Sequence, residues 1–421
     1  MKSHYALLFY FLISQASALD WEIKRQGNLS ARLTSYTEKE VPNYGQMSKA
    51  ELEQTTIFPS IFPGNFSAKN QLRWKSNSLL TDISQKSINQ KKDSYEIGPG
   101  DNYIRYKDES TILQMGYQDI VWGEAYGFNY ADIINPKDLR ETLFSDAGEN
   151  RLPLLLVNSK MLIPSGSLQI IYSPEPRFSK TLPLDLFIGD KFSQTQLEVI
   201  KEKTPKIFKT SEAGGKLALS FNDIDTSLFH YSYIDRDPTY TVISGTATTL
   251  TFQENHSRLH TTGFSLTKTL GSHVLRSDIV YTQNKLINYI ESNQVKSFQT
   301  SSTNLLLSLD SPSFNDYSGV FIFAQSHLQD IKPSSVRNQD EQFAIIKLTK
   351  SFNEDKSFEL AYTHEFKNAD NSIQPILNWP LNNTLECKLG GQFYWGNTAS
   401  NFNKYKKLNS VFLSLKNYFE L

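Results

Sequence analysis

The chain of 421 residues contains one cysteine, Cys387, and beyond its first segment it has no apolar run long enough for a membrane-spanning helix. A lone cysteine excludes an intramolecular disulfide, so an exported fold of this size must be held together without covalent staples. Basic and acidic residues nearly cancel, 43 Lys and Arg against 44 Asp and Glu, which leaves no basic footprint for nucleic acid. No G-x-S-x-G elbow, phosphate-cradling glycine loop or paired-cysteine motif occurs, and Gly214-Gly215 reads as a turn. His230, His256, His260, His273, His327 and His364 fall in no nucleophile or metal-ligand pattern. His256 and His260 would align on a helix, but on the strand suggested by Leu259 to Leu270 they stand about 13 Å apart. The sequence therefore assigns no catalytic residue, no metal ligand and no cofactor.

What is present points to the cell envelope. Lys2 gives a short positive start, Ala6 to Ile13 an apolar run, and Ala16-Ser17-Ala18 a small-residue cleavage site, so residues 1–18 read as a signal peptide. The run is shorter than the roughly 20 residues a spanning helix needs. Mean hydropathy is only −0.43, yet 13% of residues are aromatic, with 27 Phe and 21 Tyr. That combination suits a barrel with an apolar outer face and aromatic rims, and a soluble β-sandwich would share part of it.

Alternation along the chain favours the barrel. Phe66, Ala68, Leu72 and Trp74 share one face of a strand, while Ser67, Lys69, Gln71, Arg73 and Lys75 share the other. The same sorting separates Leu305, Leu307 and Leu309 from Asn304, Ser308 and Asp310, and Leu385, Cys387, Leu389, Phe393 and Trp395 from Glu386, Lys388, Gln392 and Tyr394. Around Ile279 the wet face carries Arg276 and Asp278. Val411, Leu413, Leu415, Phe419 and Leu421 alternate to the last residue, as in a terminal strand read by the barrel-assembly machinery. The expectation is an all-β, antiparallel transmembrane barrel of about 14–18 strands spanning residues 19–421. Its lumen-facing charge would be Lys69, Arg73, Lys75, Arg105, Arg276, Asp278, Glu386 and Lys388. Tyr103 and Tyr106, Tyr231 and Tyr233, and Tyr394 and Trp395 suggest rim aromatics. Turns are expected at Asp235 to Pro238, Gly271-Ser272, Asp310-Ser311-Pro312, Asn353 to Asp355 and Asn382-Asn383, and Gln194 to Lys203 has helical spacing.

One tract is more distinctive, VWGEAYGFNYADIINPKDLRE from Val121 to Glu141 followed by Arg151-Leu152-Pro153. Four carboxylates, Glu124, Asp132, Asp138 and Glu141, stand near Lys137, Arg140 and Arg151, so salt-bridged structure is the plain reading. Trp122, Gly123, Glu124, Asp132, Ile134, Asn135, Pro136, Asp138, Leu139, Arg140, Glu141, Arg151, Leu152 and Pro153 match in order a signature of the proteobacterial outer-membrane proteins catalogued as domain of unknown function 1302. The YSPEPRF run from Tyr172 to Phe178 is also similar to a feature of that family. The resemblance implies a porin-like barrel, often encoded near efflux pumps of the resistance-nodulation-division type and proposed to help move lipidic or other hydrophobic substrates.

These readings predict an outer-membrane channel or export porin of a Gram-negative bacterium, in contact with outer-membrane lipid. Residues 122–153 would form a folded insert that constricts the pore or docks a periplasmic partner. Alternatives are a surface adhesin or structural barrel, and an outer-membrane hydrolase. The excess of basic residues on the wet face hints at an anionic or amphiphilic cargo.

Overall fold

A computed structural model describes residues 22–36, 44–57, 65–77, 95–125, 128–139, 150–181, 196–200, 210–245, 249–291, 294–335, 337–353, 355–397 and 405–420. The expected signal peptide, residues 1–18, together with Arg140 and Glu141, lies outside them. The strands are β1 (Glu22–Tyr36), β2 (Tyr44–Ile57), β3 (Asn65–Asn77), β4 (Tyr95–Lys107), β5 (Thr111–Gln118), β6 (Leu154–Ile163), β7 (Gly166–Ser173), β8 (Gln196–Ile200), β9 (Glu212–Phe221), β10 (Ile224–Ile234) and β11 (Thr239–Gly245). They continue with β12 (Thr249–Asn255), β13 (Arg258–Leu270), β14 (His273–Glu291), β15 (Gln294–Phe314), β16 (Tyr317–Leu328), β17 (Asp340–Ser351), β18 (Ser357–Glu365), β19 (Asp370–Pro380), β20 (Leu385–Trp395) and β21 (Ser410–Glu420).

Eighteen of these strands form one antiparallel sheet, each paired to its neighbour in the chain once β8, β11 and β12 are set aside. The sheet closes because β21 pairs with β1, from Gln26 opposite Glu420 to Tyr36 opposite Ser410. Closure leaves no open edge, the condition for strands to cross a bilayer. Side chains sort by the period of two: Leu33, Leu72, Ile104, Ile279, Leu307 and Leu413 face outward, each exposed by 40% or more, and form the apolar belt.

At the end where β1 begins and β21 ends, connections are short. Asn222, Gly271, Asn315 and Asp316 take positive φ in tight hairpin turns there. The Asp108 carboxylate closes another, accepting from the amides of Ser110 and Thr111 at 2.9 and 2.7 Å. The opposite end carries the long connections 119–153, 174–211 and 235–257, which in such barrels face outside the cell.

Four expectations are corrected. Gly214-Gly215 forms no turn but lies inside β9, opposite Tyr231 and His230 of β10. Gln194 to Lys203 contains no helix where described; its backbone forms β8, parallel to β12 with Gln196 opposite Thr249, because that ladder outweighs weak local helical spacing. Among the described residues the one helical turn is 3₁₀, at Lys406–Leu408. Asp310 to Pro312 lies inside β15, whose register shifts between Ser311 and Phe314 around the proline, and the turn falls at Asn315-Asp316. Tyr231 and Tyr233 form no rim: at 0% and 5% exposure they point inward into an apolar cluster, and Tyr394 is buried as well. That cluster, the main core of the protein, sits inside the barrel.

Candidate functional site: a bridged lumen

The segment 119–153 leaves β5 and returns to β6, and one side chain ties its two ends together. Asn135 Oδ1 accepts from the Ile120 amide at 2.8 Å, while Nδ2 donates to the carbonyls of Gln118 and Leu152 at 2.9 and 3.0 Å. All three groups are buried, so an amide side chain with both a donor and an acceptor is what the base of this loop requires. Pro136 adds a carbonyl that accepts from the Leu152 amide at 2.8 Å. Nearby, a Cβ at Gly123 would fall 1.8 Å from Asn129 Nδ2, so any larger residue there would have to displace the Asn129 side chain.

From this base the insert docks on the wall. Trp122, Ala131 and Ile134, 1% exposed or less, pack with Leu154, Leu156, Ile171, Phe229, Tyr231, Leu259 and Val280 from β6, β7, β10, β13 and β14. Trp122 Nε1 donates to Gln169 Oε1 at 3.1 Å, and its carbonyl accepts from Lys216 Nζ at 2.7 Å. The firmest clamp is one that sequence reading missed. Arg236 makes a bidentate pair with the sealed Glu212 carboxylate at 2.8 and 2.7 Å, and donates to the Ile134 carbonyl at 2.8 Å. Burial alone would lower the Arg236 pKa; the Glu212 carboxylate more than reverses this and holds the guanidinium charged. Glu212 also accepts from Tyr231 Oη at 2.9 Å and from the Ile234 amide at 3.0 Å.

The three described carboxylates of the tract divide their work. Asp132 pairs within the insert, with Lys137 at 3.0 Å and Arg151 at 3.1 Å. Glu124 and Asp138 reach the wall instead, Glu124 to Lys216 at 3.1 Å and Asp138 to Lys75. At its far tip Phe128 stacks edge-on against Tyr130 and lies 6.5 Å, centroid to centroid, from Phe343 of β17. β17 stands half the circumference away from β5 and β6. The insert therefore crosses the lumen.

On β3 and β4, Lys69 meets Glu53 at 3.1 Å and Asp101 at 3.6 Å, Arg73 meets Glu51 at 3.2 Å, and Arg105 faces inward opposite Ser67 and Gln114. Arg276 pairs with Asp310 across β14 and β15, Lys388 lies 3.4 Å from Glu386 on β20, and Asp278 is sealed in the wall of β14. The structure thus turns all eight inward, but the basic side chains of β3 are matched by acids. A cavity of about 280 Å³ opens where the insert meets β2, β3 and β4, lined by five basic residues, Arg73, Lys75, Arg151, Arg177 and Lys180, and three acidic ones, Glu51, Glu96 and Asp138. Beside it, burial pushes the Asp119 carboxyl up to about 6 despite Arg151 at 3.9 Å. The histidines are scattered: His230 and His260 lie on the outer face, His256 stacks on Phe178 at 3.8 Å, and His364 meets Asn371 at 2.9 Å.

No family model matches the chain, and no curated protein matches it significantly. Among solved structures it is similar to OccAB4 of Acinetobacter baumannii, with TM-score 0.58 and 10% identity over 97% of this chain and 100% of that one. OccAB1 of the same organism gives 0.57 and 8% over 97% and 99%. OccD3 (OpdP) of Pseudomonas aeruginosa gives 0.56 and 8% over 96% and 93%. Identities this low speak for the fold. The fold they share with this chain is a closed antiparallel β-barrel.

Proposed function

We propose that the protein is an outer-membrane channel for a small solute, with the insert Trp122 to Pro153 as its constriction. One observation carries this reading: charged side chains inside the barrel remain open to water along β17 to β3. Lys347, Glu359, Glu386, Lys388, Glu51 and Arg73 keep between 20% and 31% of their side-chain surface. A sealed structural barrel has no use for a hydrated, charged passage, whereas such side chains set the field a solute crosses. The insert's entry from the long-loop end, and its burial inside the lumen, support a constriction over a periplasmic dock. Five basic against three acidic side chains around the cavity at the insert's edge favour solutes with an anionic group, including amphiphilic ones. The resemblance of the Trp122 to Pro153 tract adds the proposal that the channel works beside a pump of the resistance-nodulation-division type.

The test is single-channel recording of the purified full-length chain in a planar bilayer under a salt gradient. Discrete conductance steps are expected, with an anion preference that falls in the double variant Lys69→Glu, Arg73→Glu. Absence of steps would turn the reading toward an adhesin or structural barrel, and an unchanged reversal potential in the variant would remove these residues from the conducting path.

A further inference from the structure

On the outer face of the barrel, at the long-loop end of β10 and β13, three basic side chains converge on Ser232. His260 stands directly opposite Ser232, and His230 lies two residues before it on the same face of β10. The two imidazoles stack with ring centroids 6.3 Å apart, and His230 Nδ1 lies 2.9 Å from Thr262 Oγ1. Arg258, opposite Ile234, reaches across β10 to donate to Ser232 Oγ at 3.4 Å and to the Ser211 carbonyl at 3.1 Å. Both acceptors are neutral, so the guanidinium has no counter-charge among the described residues and keeps three further N–H groups to offer. The described side chains that share these rows on the outer face, Ala213, Gly215, Thr262, Tyr281 and Gln283, include no acid. Round the His230 row through Thr262, the first carboxylate is Asp340, four strands beyond Thr262 and already paired with His327 at 2.7 Å.

One residue pair below His230, the exposed side chains of Leu217, Leu228, Phe264 and Ile279 form a row of the apolar belt. The basic patch therefore begins where the belt ends, on the side of the long connection 235–257, which is the headgroup level of the outward leaflet. On its β9 side the wall is low. Ala213 and Gly215 stand opposite Ser232 and His230, and beyond them the exposed side chains of Tyr172 and Ile170 rise from β7. The small residues leave a trough between β7 and β10 that runs from the basic patch down to Leu217 in the belt. A cationic head above an apolar trough matches a lipid, and a guanidinium with free N–H groups beside two imidazoles matches phosphate oxygens, which accept bidentate donors. The outward leaflet of a Gram-negative outer membrane is a glycolipid that carries phosphate on its sugars. We infer that Arg258, His230 and His260 bind a phosphate of such a glycolipid, with an acyl chain lying along Ala213 and Gly215. The inference rests on placing the barrel in an outer membrane, and not on whether it conducts.

Native mass spectrometry of the full-length chain in an uncharged detergent tests it, with diphosphorylated lipid A, the same lipid stripped of its phosphates, and inorganic phosphate offered separately. Folding of each variant is verified by heat-modifiable gel mobility. The wild type is expected to retain one lipid A and to hold the dephosphorylated lipid at least about tenfold more weakly. Arg258→Gln is expected to lose about tenfold in affinity for lipid A, and the double variant His230→Ala, His260→Ala and the trough-filling Ala213→Leu a smaller factor. Lys268→Ala, which removes a cation from the same face of β13 at its other end, is expected to bind as the wild type. Equal retention of the dephosphorylated lipid, an unchanged affinity in Arg258→Gln, or an equal loss in Lys268→Ala would each overturn the inference. Retention of inorganic phosphate as strong as that of lipid A would overturn the lipid and assign the patch to a free anion. A wild type that never shows a heat-modifiable band would remove the membrane barrel itself, and the inference with it.

Discussion

The two arcs of the barrel wall obey different rules inside the same sheet. From β6 to β14 the inner face carries a dry apolar cluster with polar side chains sealed beside it: Leu154, Leu156, Ile171, Phe229, Leu259 and Val280 are all 1% exposed or less. From β17 round to β3 they are charged and wet, as Lys347, Glu359, Lys388, Glu386 and Arg73 illustrate. Both arcs show lipid the same apolar outer face, so the difference arises from what lies within. The dry arc is covered by the insert, which brings its own Trp122 and Ile134; the wet arc is covered by water. Burial of apolar surface at about 25 cal/mol per Å² offsets the entropy of ordering a long loop only where the wall is greasy enough to receive it. Position around the ring therefore decides which part of the lumen is filled and which stays open.

The comparison is broken most severely at Glu212. Glu212→Ala would leave Arg236 buried without its counter-charge, at a cost of about 3–5 kcal/mol, and would free the Ile134 carbonyl and the Tyr231 hydroxyl from the same clamp. A lower transition temperature in heat-modifiable gel mobility is expected, together with larger conductance as the insert leaves the dry arc. An unchanged transition would mean that the clamp holds nothing the cluster around Trp122 does not already hold.

The wet arc was legible in the sequence and the dry arc was not, for a physical reason. Where lipid lies on one side and water on the other, the period of two writes itself plainly, as in Lys69, Arg73 and Lys75 against Leu72, or Glu386 and Lys388 against Leu389. Where the inner side is covered by protein, both faces turn apolar and alternation disappears. Tyr231 and Tyr233 then pass for rim aromatics, although the run FHYSYI sets Phe229, Tyr231 and Tyr233 on one parity, the face that the insert covers. The tract Val121 to Glu141 marked Asn135 and Asp138 as candidates but could not say that one closes the loop base and the other fastens it to β3. The Glu212 and Arg236 pair left no trace, since it depends on where β9 ends relative to β10. The strand at Gln196–Ile200 depends likewise on a partner some fifty residues on, around Thr249.

Asp119 sits at the seam between the arcs, near Asp101 of β4 and Arg151 of the insert. Its carboxyl titrates near 6 in the folded protein against 3.8 ordinarily, raised first by burial. Between those values the folded state keeps a proton that the unfolded chain has released, so stability rises as pH falls through the window and is level above it. The shift corresponds to roughly 3 kcal/mol at most, and the partial exposure of the side chain, 25%, reduces it. Urea unfolding should show a higher midpoint at pH 5 than at pH 7.5. Asp119→Asn should flatten that difference; if the slope survives the substitution, another carboxylate carries it.

The smallest effect belongs to the wet arc. Glu359 of β18 meets Lys347 of β17 at 2.6 Å and accepts from Asn378 at 3.1 Å, with both charged side chains about a quarter exposed. Water can take over either partner, so Glu359→Ala should cost no more than about 1 kcal/mol, several times less than the same substitution at Glu212. Its signature should lie in conduction instead: removing the carboxylate takes one negative charge from beside the passage, and the reversal potential in a salt gradient should move toward anion preference. A stability loss as large as that of Glu212→Ala would show that β17 and β18 are dry as well, and the distinction between the arcs would fail there.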